Sequence, residues 1–451
     1  MAITINQEPT TPNLANSDLL YSVSSTNINQ PQFQYVVDIK DNSNTLIQRV
    51  KQQPNPSGYG VFNLGQLITN TFEQIDPVWD AGLVVSNSTC GKDFKVYFGE
   101  EYGTSLSSSV TLYTGVSTNT GDPAVTGSSY YFNLDGFLNE SAALNWNWAS
   151  GSKYQEEDPL DDVTFTHQFG LTAFDTSSVR LGDYHTISFL RGNVNGGALS
   201  STRAQDVYSA TYRQYDVTGS LLSTDTLVDI SSGLRTGSAQ TWADVYTSQS
   251  QITRLMHWPV GPQNMDAVGI TLDANLSYYT VTFNAQATDT LTNENAIWGE
   301  YTFNIKGPQC GYDGVRFAWK NQYGVWDYYN FSLAESRVAN IERSSYNQSF
   351  VDYSSTTTTV TYNRERRGRN NYLNKIDKIR GANTDFLNDS DASNVRELFF
   401  STDVYVQQSN GEWWPVVIET TNVVERTNPR SQKLFRFEIE YKYANGQRAR
   451  Q

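Results

Sequence analysis

Val315, Phe317 and Trp319 alternate with Arg316, Ala318 and Lys320, the two-residue period of a strand with one buried face. Asn321, Gln322, Tyr323 and Gly324 then supply turn chemistry, Gly324 being free to take a positive φ. A second aromatic run follows, Val325 to Phe331. The stretch predicts an aromatic β-hairpin that opens a C-terminal module, and nothing in it reads as catalytic. The same bias runs through the chain, with 28 Tyr, 21 Phe and 10 Trp against 3 Met and 18% charged residues. Aromatic and β-branched residues favour strands, and the plentiful Asn, Ser, Thr, Gly and Asp favour the turns between them. Long runs of helix formers are nearly absent. The predicted fold is all-β: tandem β-sandwich modules, Ig-like or jelly-roll-like, with one or two short helices.

A chain of 451 residues has room for about two to four domains, each with its own core. Residues 1–17 are polar and lack a period, which predicts an extended N-terminal arm, free or docked on a neighbouring subunit. A β-sandwich module is expected over 18–105. It includes a strand from Phe33 to Ile39, a turn at Asp41–Asn44, a partner strand from Thr45 to Val50 and a closing strand from Phe94 to Tyr102. Leu64, Leu67, Ile68 and Phe72 share one face at helical spacing. Connecting hairpins and loops take 106–178, and a second sandwich takes 179–307. Its strands are expected near Thr186–Leu190, Tyr208–Tyr215, Leu221–Leu227, Tyr278–Phe283 and Trp298–Ile305. The pattern echoes the first module as a loose internal duplication. A C-terminal β domain with a short helix spans 308–451, the helix being signalled by Asp389–Phe400. A hairpin turned at Ser409–Gly411 and a final alternating strand from Leu434 to Tyr443 complete it.

The net charge of −15 is unevenly spread. From Asn363 onward there are 15 Lys and Arg against 12 Asp and Glu, leaving 17 against 35 before it. An acidic body with a basic end argues against general nucleic-acid binding and permits head-to-tail docking between copies. Cys90 and Cys310 fall in different modules and are expected reduced and buried. The opening Met-Ala-Ile-Thr-Ile-Asn-Gln has neither the basic nor the apolar region of a signal peptide, and no apolar run is long enough to cross a bilayer. Synthesis in a cytoplasm is the expectation.

His167, His185 and His257 lack the short spacings of a metal pair, and the acidic cluster Glu156–Asp162 lacks the ladder of a calcium loop. No nucleophile elbow or phosphate loop occurs. No cofactor, metal or catalytic residue is assigned, and the chain reads as a non-enzyme. Two carboxylates about 5–10 Å apart would suffice for a glycosidase, for which Asp80, Glu100, Glu101 and Asp327 lie near aromatics. A carbohydrate-binding module is the other alternative, with Trp146 and Trp148 as stacking candidates. Trp319, Trp326, Trp413 and Trp414 are read first as core filling. The basic cluster Arg364, Arg366, Arg367 and Arg369, with Thr358 and Val360 on a Ser/Thr-rich strand, forms the candidate subunit interface, although an exposed loop would carry the same residues.

Several of these segments coincide with a family pattern. Ser24-Ser-Thr-Asn-Ile-Asn-Gln-Pro-Gln-Phe-Gln-Tyr35 and Pro54-Asn-Pro-Ser-Gly-Tyr-Gly-Val-Phe-Asn-Leu64 resemble the N-terminal module of virion structural proteins from tailed phages of Bacteroidetes, crAss-like phages included. Phe94 to Gly103 is similar to the strand that closes that module. The hairpin Trp319–Phe331 resembles an aromatic signature later in the same proteins, and Val395–Leu398, Ser401–Val406 and Pro415–Ile418 follow in matching order. The resemblance implies a tail, neck or baseplate component of the virion, made in the host cytoplasm. It implies a symmetric homo-oligomeric ring that serves as adaptor for other tail proteins or fibres; the charge pattern and the lack of an apolar span add the expectation of no nucleic acid or membrane partner. Residues 106–307 depart from that pattern, which leaves a specialised receptor-binding or decoration role open for them.

Overall fold

A computed structural model of the chain describes residues 3–9, 13–41, 43–72, 85–86, 91–113, 123–125, 131–137, 171–172, 174–190, 207–228, 255–286, 294–307, 314–333, 335–349, 351–354, 356, 359–362, 365, 368–423 and 435–445. The protein is all-β, built from several sheets with three short helices among these residues.

The first unit contains β1 (Ile3–Gln7), β2 (Asn13–Leu14), β3 (Leu20–Ser25), β4 (Gln34–Lys40), β5 (Leu46–Gln52), β6 (Gly60–Asn63), α1 (Gly65–Thr69), β7 (Val85–Ser86), β8 (Gly91–Tyr102), β9 (Thr111–Tyr113) and β10 (Tyr131–Leu134). One sheet has the order β1-β3-β6; the other has the order β2-β10-β8-β4-β5, with β9 paired to β8. The predicted hairpin is β4–β5, in which Asp38 lies directly opposite Arg49. Asp38 is fully buried, and its two oxygens accept from Arg49 Nε and Nη2 at 2.6 and 2.7 Å. Tyr21, Val23, Tyr35, Val37, Phe94, Val96 and Phe98 fill the space between the sheets, with Ile68 of α1 closing one end.

The N-terminal span differs from its expectation. Instead of an extended arm, β1 pairs antiparallel with β3, and β2 runs parallel to β10. Ile3, Leu14 and Ala15 are 1%, 2% and 0% exposed. The alternation of Ile3 and Ile5 with Thr4 and Asn6 is strand-like, but one edge strand of five residues gives too short a pattern to stand out. The unit also extends past residue 105, because β10 and a bridge between Phe98 and Val125 complete it.

The second unit contains β11 (Thr176–Val179), β12 (Thr186–Leu190), β13 (Val207–Tyr215), β14 (Leu221–Val228), β15 (Leu255–Pro259), α2 (Pro262–Ala267), β16 (Tyr278–Gln286) and β17 (Glu294–Ile305). All five strands anticipated here are present; β11, β15 and α2 are additional. Its larger sheet has the order β11-β17-β16-β13-β14, and β12 pairs with β15, which also takes β7 from the first unit. The five-strand order of this larger sheet repeats that of the first unit. An edge hairpin (β4–β5, β13–β14) is followed by two antiparallel partners (β8 and β10, β16 and β17) and a parallel edge strand (β2, β11). The smaller sheet repeats too, β3 with β6 and β12 with β15, each second strand leading into a helix.

Local details recur with the topology. Leu19 donates its N–H to Asn63 Oδ1, and its carbonyl accepts from Leu64 N. His185 donates its N–H to Asn264 Oδ1, and its carbonyl accepts from Val260 N. A glycine stands at each helix entrance because the facing loop leaves no room for a side chain. A Cβ on Gly65 would lie 2.0 Å from the carbonyl oxygen of Ser17, and one on Gly261 would lie 2.3 Å from His185 N.

The third unit contains β18 (Val315–Lys320), β19 (Trp326–Phe331), β20 (Ser336–Asn347), β21 (Val351–Ser354), β22 (Thr359–Tyr362), β23 (Arg369–Asn383), α3 (Asp389–Phe400), β24 (Val404–Gln407), β25 (Trp413–Ile418) and β26 (Glu438–Tyr443). Seven strands form one sheet in the order β19-β18-β24-β25-β26-β23-β20. Helix α3 begins where predicted: Asn388 Oδ1 accepts from Asp391 N at 2.7 Å. Its Val395 and Leu398 pack on Phe317, Trp319 and Ile439. The β24–β25 turn places Gly411 at φ +88°.

The placement of the N-terminal strands sets a first test. Leu14→Ala should cost about 2–4 kcal/mol, and removal of residues 1–17 should leave the first unit unfolded, both read by urea denaturation. A truncated chain as stable as the full one would refute the assignment.

Candidate functional site

The predicted hairpin is β18–β19, in register from Val315 opposite Phe331 to Lys320 opposite Trp326. Val315, Phe317 and Trp319 face the core beneath α3, as their period requires. The second face was expected in water, and this is corrected: all six residues of β18 are buried. Ala318 packs with Trp326, Tyr328, Tyr405 and Trp413, while Arg316 and Lys320 are 3% and 5% exposed. The other two units supply what covers and neutralises them.

At one end, Arg316 Nη1 lies 3.1 Å from Asp183 Oδ2 of the second unit, and Nη2 donates to the carbonyl of Tyr184 at 2.8 Å. The same carboxylate oxygen accepts from Asn330 Nδ2 at 2.7 Å and from Arg180 N at 2.8 Å. The guanidinium stands 5.3 Å from the Tyr328 ring centre, and Tyr328 Oη lies 2.9 Å from Thr186 Oγ1. His185 Nδ1 is 3.2 Å from Arg316 Nη2. Burial, reinforced by the guanidinium, holds this imidazole well below its ordinary range, so it is neutral and accepts from Arg316.

At the other end, Lys320 Nζ meets Asp135 Oδ2 at 2.6 Å and Asp403 Oδ2 at 3.2 Å. Asp135 lies just beyond β10 of the first unit, and burial raises its pKa although Lys320 opposes the shift. The hairpin turn presses on the same loop. Gly324 sits at φ +75°, and a Cβ there would stand 2.3 Å from the Asp135 carbonyl oxygen. Asn321 Nδ2 donates to the carbonyl of Leu171 at 2.8 Å and to Asp327 Oδ2 at 2.9 Å, and Thr172 Oγ1 donates to Asp327 Oδ1. Glu397 of α3 accepts from Gln322 N at 3.0 Å. Burial, and then the Asp327 carboxylate, pushes Glu397 up to about 7.

These groups hold one another and the backbone. Of the acids named for a glycosidase, Asp327 is fully buried, Glu100 accepts from Ser25 Oγ and Asn27 Nδ2 at 2.5 and 2.6 Å, and Glu101 pairs with Lys51. Ser188 Oγ lies 2.7 Å from His257 Nδ1 across β12 and β15. Both residues are 1% exposed, and burial lowers His257 to about 4. The pair links β12 to β15 across the sheet. Among the described residues no group of three or more His, Cys, Asp or Glu is placed to hold a metal ion.

The other feature is a projecting ribbon. β20 and β23 pair along their length, but β26 covers β23 only from Arg380 to Asn383. Beyond that point two strands extend on the order of 35 Å, with no residue of β20 buried. The hairpin β21–β22 continues the chain past them. Val338, Ile341, Tyr346, Val360, Tyr362, Tyr372 and Leu373 are exposed along this ribbon. They are seven of the twenty large apolar side chains exposed among the described residues, so apolar exposure is concentrated on residues 336–383.

Two of the six sequence candidates for a subunit interface, Val360 and Arg369, are described, and both fall in this region. Val360 is 55% exposed on β22, and Arg369 opens β23, its Nε donating to Ser345 Oγ at 2.8 Å. Thr358, Arg364, Arg366 and Arg367 lie outside the described residues, as do Trp146, Trp148, Asp80, Cys90, Cys310, His167 and the acidic cluster 156–162. Trp319, Trp326 and Trp413 fill cores; Trp414 is 42% exposed and donates to Glu412 Oε2 at 3.1 Å. The sequence reading missed Val338, Ile341, Tyr346, Tyr372 and Leu373. They follow no single two-residue period, and which faces stay bare depends on where β26 ends. No helix among the described residues is long and apolar enough to cross a membrane. The sequence matches no protein-family model and no curated protein.

Two measurements probe the seam. Arg316→Met leaves Asp183 buried without its cation and should cost about 3–5 kcal/mol in urea denaturation followed by tryptophan fluorescence. Glu397, raised from 4.5 to about 7, keeps a proton in the folded state that the unfolded chain has released. Its contribution is complete below pH 4.5 and is lost as pH rises through about 7. His257, lowered from 6.5 to about 4, acts in the opposite sense, so the comparison is with Glu397→Gln. That variant should remove a fall on the order of 3 kcal/mol across this window; identical pH profiles would refute the assignment.

Proposed function

We propose that the chain is a structural component of a phage virion, in the tail, neck or baseplate. Its copies assemble into a symmetric ring that acts as an adaptor for neighbouring tail proteins or fibres. The ribbon carries the reading. An isolated two-stranded ribbon is marginal in water, yet beyond Arg380 this one has no strand paired to either outer edge among the described residues, and no residue of β20 is buried. A chain that presents such an element has a packing partner for it in the assembled state. The segments resembling virion proteins supply the kind of assembly, and two of them, Phe94–Gly103 and Trp319–Phe331, are the central strand of the first unit and the hairpin at the junction. The buried ionic seams suit a brick, because they fix three units in one arrangement.

Mass spectrometry of purified particles should find the chain at a stoichiometry of several copies per particle, and sizing of the isolated protein at low salt should give an oligomer. Its absence from particles produced by a host carrying the gene would overturn the proposal.

A further inference from the structure

The two faces of the ribbon differ in charge. Residues directly opposite each other in an antiparallel pair share a face. The register therefore puts Arg337 with Arg380, Ala339 with Lys378, Ile341 with Ile376, Arg343 with Asn374 and Asn347 with Arg369 on one side. The contact of Arg369 Nε with Ser345 Oγ agrees with that placement. Within β20 and β23 this face has five cations and no acid, centred on the apolar pair Ile341–Ile376, and Glu335 lies just outside it at the root. The opposite face carries Val338 with Ile379, Asn340 with Asp377, Glu342 with Lys375, Ser344 with Leu373 and Tyr346 with Asn370; it is the more apolar face, and its charges are answered locally, Lys375 lying 3.8 Å from Glu342 and 3.4 Å from Asp377. On the cationic face, Glu335 at the root bridges Arg337 and Arg380, but Arg343 and Lys378 have no acid opposite them.

The rest of the chain has the opposite sign. Residues 336–383 hold nine Lys and Arg against four Asp and Glu, leaving 23 against 43 elsewhere. A strongly acidic body repels nucleic acid and attracts the cationic ribbon of another copy.

We infer that the ribbon docks through its acid-free face, centred on Ile341, Arg343, Ile376 and Lys378, onto the acidic body of a second copy of this chain. This rests on the proposed ring and specifies what holds it together. The central isoleucines lose their water on docking, which favours the complex, while the flanking cations set orientation and rate. Contacts of this kind weaken with ionic strength.

The test compares Arg343→Glu/Lys378→Glu with Lys375→Glu, which reverses a charge on the other face. All three positions lie outside the cores, so circular dichroism and the unfolding midpoint should match those of the wild type. Analytical ultracentrifugation at 50 and 500 mM NaCl reads assembly. Carbodiimide cross-linking of mixed light and heavy-isotope protein reads whether Lys378 joins a carboxylate of a different copy. The expected result is a salt-sensitive oligomer, Lys378 cross-links between copies, dissociation at least about tenfold easier in the double variant, and little change in Lys375→Glu. If the double variant assembles like the wild type, the docking face is wrong while the virion reading stands. A wild-type chain that stays monomeric at low salt but is found in particles overturns the inference in the same way, with a different protein as the ribbon's occupant. Salt-dependent binding to DNA by a monomer, lost in the double variant, would overturn the inference in favour of nucleic acid. Absence from particles is the separate outcome that removes the virion reading.

Discussion

Arg316 has been taken out of water, and everything around it follows from the need to answer that charge. Desolvating a guanidinium costs several kcal/mol even after relaxation. The cost is offset only where a carboxylate and further acceptors surround it. Asp183 and the Tyr184 carbonyl supply them from 132 or 133 residues away in sequence. Asn330 and the Arg180 N–H then complete the coordination of the carboxylate. A slide of the second unit against the third would leave a charge buried and alone, which is far more costly than a lost apolar contact. The interface is therefore specific in geometry even where it contributes little net stability. Lys320 plays the same part toward the first unit, through Asp135.

The hydrophobic cores divide differently from the seams. Each unit keeps its own cluster of aromatic and β-branched side chains, so burial drives the folding of each unit separately. The polar contacts between units then decide how they sit together. The first two units share one strand order, one helix entrance and one pattern of loop hydrogen bonds, which points to a common structural plan used twice. The loop that carries Asp183, His185 and Gly261 contacts in the second unit corresponds to the loop around Ser17 and Gly65 in the first. In the second unit this loop holds the carboxylate and imidazole that contact Arg316.

The ribbon follows the opposite logic. Its strands leave the shelter of β26 after Arg380, and nothing among the described residues covers its exposed isoleucine and tyrosines. At the seam the protein buries two cations, Arg316 and Lys320; on the ribbon it leaves seven large apolar side chains exposed. The contrast separates an element that holds the subunit together from one whose packing lies with another molecule.

Local sequence determined a good deal. The period of Val315–Trp319, the turn ending at Gly324, the Asn-capped helix before Val395 and the hairpin at Ser409–Gly411 are set by interactions within a few residues, and side-chain alternation and turn chemistry register them directly. So are β4–β5 and the five strands anticipated in the second unit. Edge strands such as β1 and β2 went unread because they are short and polar, and what makes them strands is the sheet beside them. The fate of the second face of β18 was decided only by tertiary structure: Arg316 and Lys320 read as solvent-facing until distant acids and two further units close over them. The bare faces of the ribbon were decided in the same way, by where a neighbouring strand stops. A chain encodes its periodicity locally, but whether a given face meets water depends on which remote segment arrives to cover it.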